Sequence, residues 1–383
     1  MSAVHRSASA GDEYLAAFAE DEGYLDFARV GPPSRAVVEA GSAALSEVSA
    51  AGLGTVDELM GAEARALAAA SRLLGFAPAN LVYSPSTSAG LFQAAFAVRG
   101  PVLVSPAEFP ANLYPWWRAE SAGRLDVVPL PAGPVTPSTV RATLAAGDAA
   151  ALVVSAVDFA TGFRADLGGL REVLGERLLV VDGIQGVGAA EQEWTAADVL
   201  VAGGQKWLRS GWSTGVVAVS DRALERLDPL LAGWTGVQGV TDYDGLEHPL
   251  ADGAARFTTT NTSPVAQACL AAGLELLEQA GVGFVAGRIS ARVEELLEVL
   301  DRRGVVVTSS RAPADRAGIV AFRVPGVDGA ELHAALGRAG VTSTRHGERV
   351  RLSVHATTTS VALDRVDAAL ASLSPRACPA PRP

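Results

Sequence analysis

Between residues 81 and 219 the chain alternates short apolar runs with stretches of helical period. The runs cover 81–83, 102–105, 126–130, 150–157, 178–182, 198–202 and 215–219. Two of them, Ala151-Leu152-Val153-Val154 and Leu179-Val180-Val181, are apolar at every position rather than at every second one. A strand with one wet face alternates, whereas a strand covered on both faces does not. Strand–helix alternation of this kind predicts an α/β fold with a mostly parallel sheet between helix layers. Ligands in such sheets bind at the carboxyl ends of the strands.

Upstream, residues 1–22 form an acidic arm with helical spacing at Tyr14, Leu15 and Phe18. Residues 24–28 read as a short strand entering a Gly-Pro-Pro turn at 31–33. Ser34 then caps a long alanine-rich helix, its hydroxyl satisfying a free backbone N–H. A second helix follows over about 56–74, and a third runs from the Ser86-Thr87-Ser88 cluster to Val98. After residue 264 the texture changes. Helices at 263–279, 284–302, 329–339 and 360–373 mix with strands at 305–308, 319–324, 341–344 and 350–354. The organisation expected is an arm (1–22), a large domain (23–263), a smaller C-terminal α+β domain (264–374) and a tail (375–383) with four prolines.

A length of 383 residues suits two domains and a large core. Apolar residues make up 49 % and charged ones 19 %, as in globular chains. The net charge of −11 argues against nucleic acid as a partner. Cys269 and Cys378 are too few for a disulfide framework and are expected to be reduced. The N-terminus lacks the apolar segment of a signal peptide, and no run reaches the length of a membrane span. A cytoplasmic protein without a membrane partner is expected.

Lys206 changes the picture, because it is the only lysine among 31 cationic residues. Wherever a positive charge suffices, the chain uses arginine. An amine can lose its proton and attack a carbonyl, which a guanidinium cannot. Lys206 is therefore either a Schiff-base lysine or a leftover surface cation, and its neighbours decide. It follows the apolar run 198–202 and Gly203-Gly204. Asp182 ends another buried run, where a carboxylate needs a partner. The hydroxyls of 86–88, at a helix start, suit a phosphate or merely cap the helix. Phe109 follows a strand and offers an aromatic face, or simply packs in the core. One cofactor takes an amine, a carboxylate for a ring nitrogen, a phosphate cup and a flat ring partner together: pyridoxal phosphate.

The residues Val180-Val181-Asp182-Gly183-Ile184-Gln185-Gly186-Val187-Gly188 and Gly203-Gly204-Gln205-Lys206-Trp207-Leu208 carry a resemblance, with support from Thr161 to Leu167. The chain resembles the class V aminotransferase family of fold-type I pyridoxal-phosphate enzymes, from Tyr24 to Ser353. The resemblance implies a large domain with a mostly parallel sheet and a smaller C-terminal domain. It implies that Lys206 holds the cofactor and shuttles protons, and that Asp182 pairs with the pyridine nitrogen. Gln185 would lie by the ring's phenolic oxygen, and Thr87 and Ser88 would bind phosphate. Phe109 takes the stacking position, and Asp158 or Phe159 falls where relatives place a polar group near the ring. Gln205 stands where a histidine is usual. Arg351 matches the arginine that grips a substrate carboxylate, with Arg29, His346 and His355 as further candidates for the pocket. Thr260-Asn261 replaces a Gly-Thr pair that reaches the neighbouring subunit's phosphate, so the resemblance implies a homodimer with sites at the subunit interface, and Asn261 as a cofactor contact.

Desulfurases carry a nucleophilic cysteine in the region matching 309–350, and none is present there. The aromatic residue at 109 resembles the isopenicillin N epimerase-like and kynureninase-like branches. The activity expected is that of an aminotransferase acting on a small amino acid by Schiff-base exchange and Cα deprotonation. A carbon–sulfur β-lyase, a kynureninase-like lyase or an epimerase on the same scaffold is the alternative. Outside the subclass, two further possibilities are a cofactor-fold binding module without turnover and a nucleotide-binding protein. The latter lacks any Gly-x-Gly-x-x-Gly or Walker signature.

Overall fold

The computed structural model describes residues 9–373. The first eight residues of the arm and the expected tail, with Cys378, lie outside the described residues. Seven strands form the main sheet: β1 (Leu81–Tyr83), β2 (Gly100–Val104), β3 (Leu125–Pro129), β4 (Ala151–Ser155), β5 (Leu178–Asp182), β6 (Val199–Gly203) and β7 (Gly215–Val219). Their order is β1-β7-β6-β5-β4-β2-β3. All pairings are parallel except those of β7 with β1 and β6. Because β7 runs against both neighbours, the carboxyl ends of β1, β2, β4, β5 and β6 share one rim.

The unbroken apolar runs are explained by two cores. Ala151 and Val153 enter one, with Val180, Val201, Leu91 and Trp116. Leu152 and Val154 enter the other, with Leu179, Val181 and Leu200. Successive side chains on a strand point to opposite faces, so a sheet with helices on both sides needs apolar residues at every step.

The α-helices before β2 are α1 (Ala10–Ala16), α2 (Arg35–Ser49), α3 (Thr55–Leu74) and α4 (Thr87–Ala97), of which α4 starts at the rim. Ser34 caps α2 by accepting the Val37 N–H, as expected. The helix Pro264–Ala280 packs on α2 and α3. A second, antiparallel sheet has the order β10-β11-β9-β8, from β8 (Val306–Val307), β9 (Ile319–Arg323), β10 (Thr344–His346) and β11 (Arg349–Ser353). No single described helix is long and apolar enough to cross a membrane.

Three expected strands differ. Residues 24–28 make one bridge only, Asp26 with Ser353, rather than a strand. The chain turns at once, with the Arg29 N–H on the Asp26 carbonyl, and the prolines at 32 and 33 bring no N–H to a ladder. What the segment does instead is stitch onto the second sheet: the Ser353 N–H reaches Leu25 O (2.7 Å) and the Ala28 N–H reaches Ser353 Oγ (2.8 Å). The strand expected at 341–344 starts only at Thr344, because the Thr342 N–H bonds Gly23 O outside the sheet. The run 150–157 leaves the sheet after Ser155, and Val157 bridges Arg164.

Candidate active site

The shared rim gathers side chains that lie far apart in sequence. A cavity of about 390 Å³ opens there, lined by Ser86, Thr87, Ser88, Phe109, Asp182, Gln185, Gln205, Lys206 and Arg351 among others. All of these but Arg351, which comes from β11 of the second sheet, arrive by the same route. β1 ends before the hydroxyls of 86–88, β2 before Phe109, β4 before Phe159, β5 at Asp182, and β6 before Gln205 and Lys206.

Lys206 is carried on a tight turn, and its Nζ lies 5.6 Å from the centroid of the Phe109 ring. Burial pulls its pKa from 10.5 to about 8. Asp182 opposes that fall, Arg351 adds to it, and Asp26 opposes it more weakly. The amine is thus balanced between its two protonation states near pH 8, and a minor share is already unprotonated at neutral pH, as a nucleophile and proton carrier needs. Asp182 is buried, and burial pushes its carboxyl up to about 6, against the Ile184 N–H (3.0 Å) and the Lys206 charge. Both groups lack full solvation, so a cationic ring nitrogen beside Asp182 would stabilise its ionised form.

Ser86 caps α4 by accepting the Ala89 N–H. Thr87 is buried, and its hydroxyl accepts the Gly203 N–H (3.0 Å), which leaves its own proton free to donate. Ser88 is exposed on the first turn. Two hydroxyls at the start of an eleven-residue helix match an anion. Gln185 is held at both ends of its amide: Nε2 donates to Ala28 O (2.9 Å), and Oε1 accepts from the Trp207 indole (2.7 Å). Its second N–H is left for a ligand oxygen. Phe109 is 40 % exposed and meets Phe159 edge-on at 5.1 Å, so the two rings form one wall.

Arg351 is buried, with Nη1 on Phe159 O (2.8 Å) and Nη2 near Asp26 (3.4 Å) and Thr344 (3.3 Å). Burial lowers its pKa, and Asp26 counters this. Arg29 lines the cavity from the surface, and His346 lines it from β10. Burial, Arg351 and Arg349 lower the His346 pKa, which keeps the imidazole neutral at pH 7.

Three expected residues lie elsewhere. The Asp158 carboxylate closes its own turn, accepting from the N–H groups of Ala160 (3.2 Å) and Thr161 (2.6 Å) and from the Thr161 hydroxyl. It faces a separate cavity of about 260 Å³, and Phe159 takes the place in the lysine cavity. Asn261 is exposed and does not line this cavity. His355 is wholly buried, stacked 4.9 Å from Phe27.

Other residues at or beside the site gave no signal in the sequence. Trp212 and Thr344 line the cavity, and Asp26 partners Arg351 from outside it. Glu108 is buried next to Phe109; it accepts the Ser155 N–H (2.9 Å) and hydroxyl and the Asn112 amide (3.1 Å). Burial raises its pKa to about 7. A glutamate in Ala107-Glu108-Phe109 reads as a solvated loop residue until β4 is placed against it.

The donor set fits pyridoxal phosphate. Lys206 would hold it covalently, Asp182 would face its ring nitrogen, Thr87 and Ser88 would take its phosphate, and the free N–H of Gln185 would face the ring's phenolic oxygen. Phe109 would cover its face.

Comparison with known proteins agrees. A model of the aminotransferase class V family matches residues 71–371. No curated protein matches the chain. Among solved structures, the apo cysteine desulfurase of Thermococcus onnurineus NA1 has a TM-score of 0.80 at 21 % identity, covering 91 % of this chain and 92 % of its own. The cystine C–S lyase C-DES, in complex with its product cysteine persulfide, has a TM-score of 0.83 at 18 % identity, covering 92 % and 98 %. The cysteine desulfurase CsdA of Escherichia coli has a TM-score of 0.78 at 19 % identity, covering 94 % and 97 %. At these identities the likeness is one of fold. With most of its length matched by the family model, the chain belongs to the aminotransferase class V family, whose cofactor is pyridoxal phosphate.

Proposed function

We propose that the chain is an amino-acid-converting enzyme of aminotransferase type, in which Lys206 removes the Cα proton of a small amino acid. The observation that carries this is a half-buried amine held at about 8, sharing one cavity with Asp182, a hydroxyl-lined helix start and a buried guanidinium. When bound, pyridoxal phosphate supplies an electron sink that makes the Cα proton acidic. Arg351 binds the substrate carboxylate through a charge-assisted fork, with Arg29 at the mouth, and so orients the Cα–H bond. With its amine free, Lys206 would accept that proton and could return it. Asp182 keeps the ring nitrogen protonated. Phe109 and Phe159 shield the reacting atoms from water.

A β-eliminating lyase is the second reading. One of the solved neighbours is described as a cystine C–S lyase. A desulfurase is disfavoured. The only described cysteine, Cys269, lies on the helix Pro264–Ala280 with its thiol toward Val37 O (3.7 Å). β10 and β11 are joined through Gly347 and Glu348 alone, which leaves no loop there to carry sulfur.

A homodimer with Asn261 reaching the neighbouring site remains part of this proposal. Its support is the loop beside residue 258, which exposes Leu230, Trp234, Tyr243 and Leu246. The Gly233 N–H ties this loop to Thr258 O.

The test is to add a panel of amino acids to the protein loaded with pyridoxal phosphate and record its visible spectrum and products. At least one amino acid should perturb the spectrum in wild type and none in Lys206→Ala. Keto acid formed beyond one equivalent per protein only with an acceptor indicates transamination, whereas continuous ammonia release without one indicates elimination. If no amino acid changes the spectrum or is consumed, the proposal fails.

A further inference from the structure

We infer that Arg209 is a positioning residue for Lys206, locking the turn that bears the amine to the N-terminal arm and to the loop after β11. The inference rests on Lys206 being the reactive amine. Arg209 follows it by three residues, and its N–H closes the turn on Lys206 O at 3.1 Å. Its backbone φ is +52°, in the left-handed region that a residue with a Cβ adopts only when its surroundings impose it. The side chain is 1 % exposed, one of the largest fully buried side chains described. A buried guanidinium is tolerated only when paired and hydrogen-bonded.

Its partners come from three separate parts of the chain. Nη2 donates to Glu20 Oε2 at 2.6 Å, Nε to Pro32 O at 2.7 Å, and Nη1 to Thr357 Oγ1 at 3.2 Å with His355 Nδ1 at 3.4 Å. The second oxygen of Glu20 accepts the Thr357 hydroxyl. The guanidinium lies 3.5 Å over the Phe18 ring, and Phe18 packs edge-on against Tyr14 of α1. Burial alone would raise the Glu20 pKa, but Arg209 and Thr357 outweigh it and hold Glu20 ionised. His355 stays neutral, since burial and Arg209 push its pKa well below 6.5. The remaining titratable groups near Arg209 are Tyr14 and Tyr24, whose pKa values burial raises.

The same turn is pinned from below. The Gly31 N–H donates to Gln205 O (2.9 Å), and a Cβ at Gly31 would lie 1.9 Å from Lys206 O and 2.9 Å from Arg209 Cγ. Residues 14–20, 31–32 and 355–357 thus converge on the four-residue turn that presents the amine. Arg209 does not act on Lys206 as a charge: the groups that shift the amine are Asp182, Arg351 and Asp26. Its influence runs through the backbone, by keeping the turn packed and the amine out of bulk water.

The experiment uses the cofactor-free full chain. Lys206 is the only lysine, so an amine-acylating reagent followed by peptide mass analysis reads its protonation alone, apart from the N-terminus on another peptide. Arg209→Met and the milder Glu20→Gln should loosen the turn, admit water and raise the Lys206 midpoint by about one pH unit from its value of about 8. Arg171→Met, which breaks a partly buried ion pair with Asp198 away from the cavity, should lower the melting temperature and leave the midpoint in place. If Arg209→Met does not fold, Glu20→Gln decides. An unchanged or lowered midpoint in the variants that fold overturns the inference, as does an equal rise in Arg171→Met. Because no substrate is involved, a raised midpoint would stand even if the amino-acid panel showed no turnover.

Discussion

Replacing Asp182 by asparagine isolates the main electrostatic support of Lys206. In the cofactor-free chain burial draws the amine from 10.5 to about 8, and Asp182 is the strongest charge resisting that fall. Asparagine keeps the shape and an oxygen for the Ile184 N–H but carries no charge. A carboxylate and an ammonium sharing one cavity, at an effective dielectric of about 20, attract by about 2 kcal/mol, or roughly 1.5 pKa units. The Lys206 midpoint should therefore fall to about 6.5 in Asp182→Asn. With a wild-type midpoint of about 8, roughly a tenth of the amine is unprotonated at pH 7. In the variant the fraction becomes about three quarters, an acceleration of about eightfold. Acylation of the sole lysine between pH 5.5 and 10.5, read on its peptide, measures both midpoints. A wild-type midpoint near the ordinary lysine value would refute the burial argument. An unchanged or raised midpoint in Asp182→Asn would refute the pairing.

The stability of the cofactor-free chain should carry the same signature. Lys206 is lowered, so between about 8 and 10.5 the unfolded chain binds more protons and stability rises with pH, by up to about 3 kcal/mol. Asp182 is raised, so between 3.8 and about 6 the folded chain binds more protons and stability falls as pH rises. Urea melts across both windows would show Asp182→Asn losing the acid limb. Arg351→Met should raise KM for the amino acid by about 10- to 100-fold through loss of a charge-assisted fork, with the visible band of the bound cofactor little changed. A KM equal to wild type would remove Arg351 from the substrate.

Some of the site was legible because chemistry leaves marks on composition. A chain that uses thirty arginines and one lysine announces that amine, and an aspartate closing an apolar run announces a buried acid. Asp158 shows the limit. In sequence it and Phe159 are equally placed for the cavity, and only the turn at 158–161 decides which side chain faces it. Arg351 was identified by resemblance, whereas its counter-ion Asp26 sits in a segment that read as an ordinary strand. That segment spends its hydrogen bonds on Ser353 and Thr342, more than 300 residues away.

From the order of its amino acids alone this protein settled its strand–helix alternation, the covering of its sheet on both faces and the place of its single lysine just past a buried run. These follow from local periodicity and residue type, which neighbouring positions determine. The three-way clamp on Arg209, the separation of Asp158 from Phe159 and the raised carboxyl of Glu108 were decided only in the tertiary structure. Each depends on which distant backbone supplies a partner for a buried polar group, and such pairings have no period in the chain.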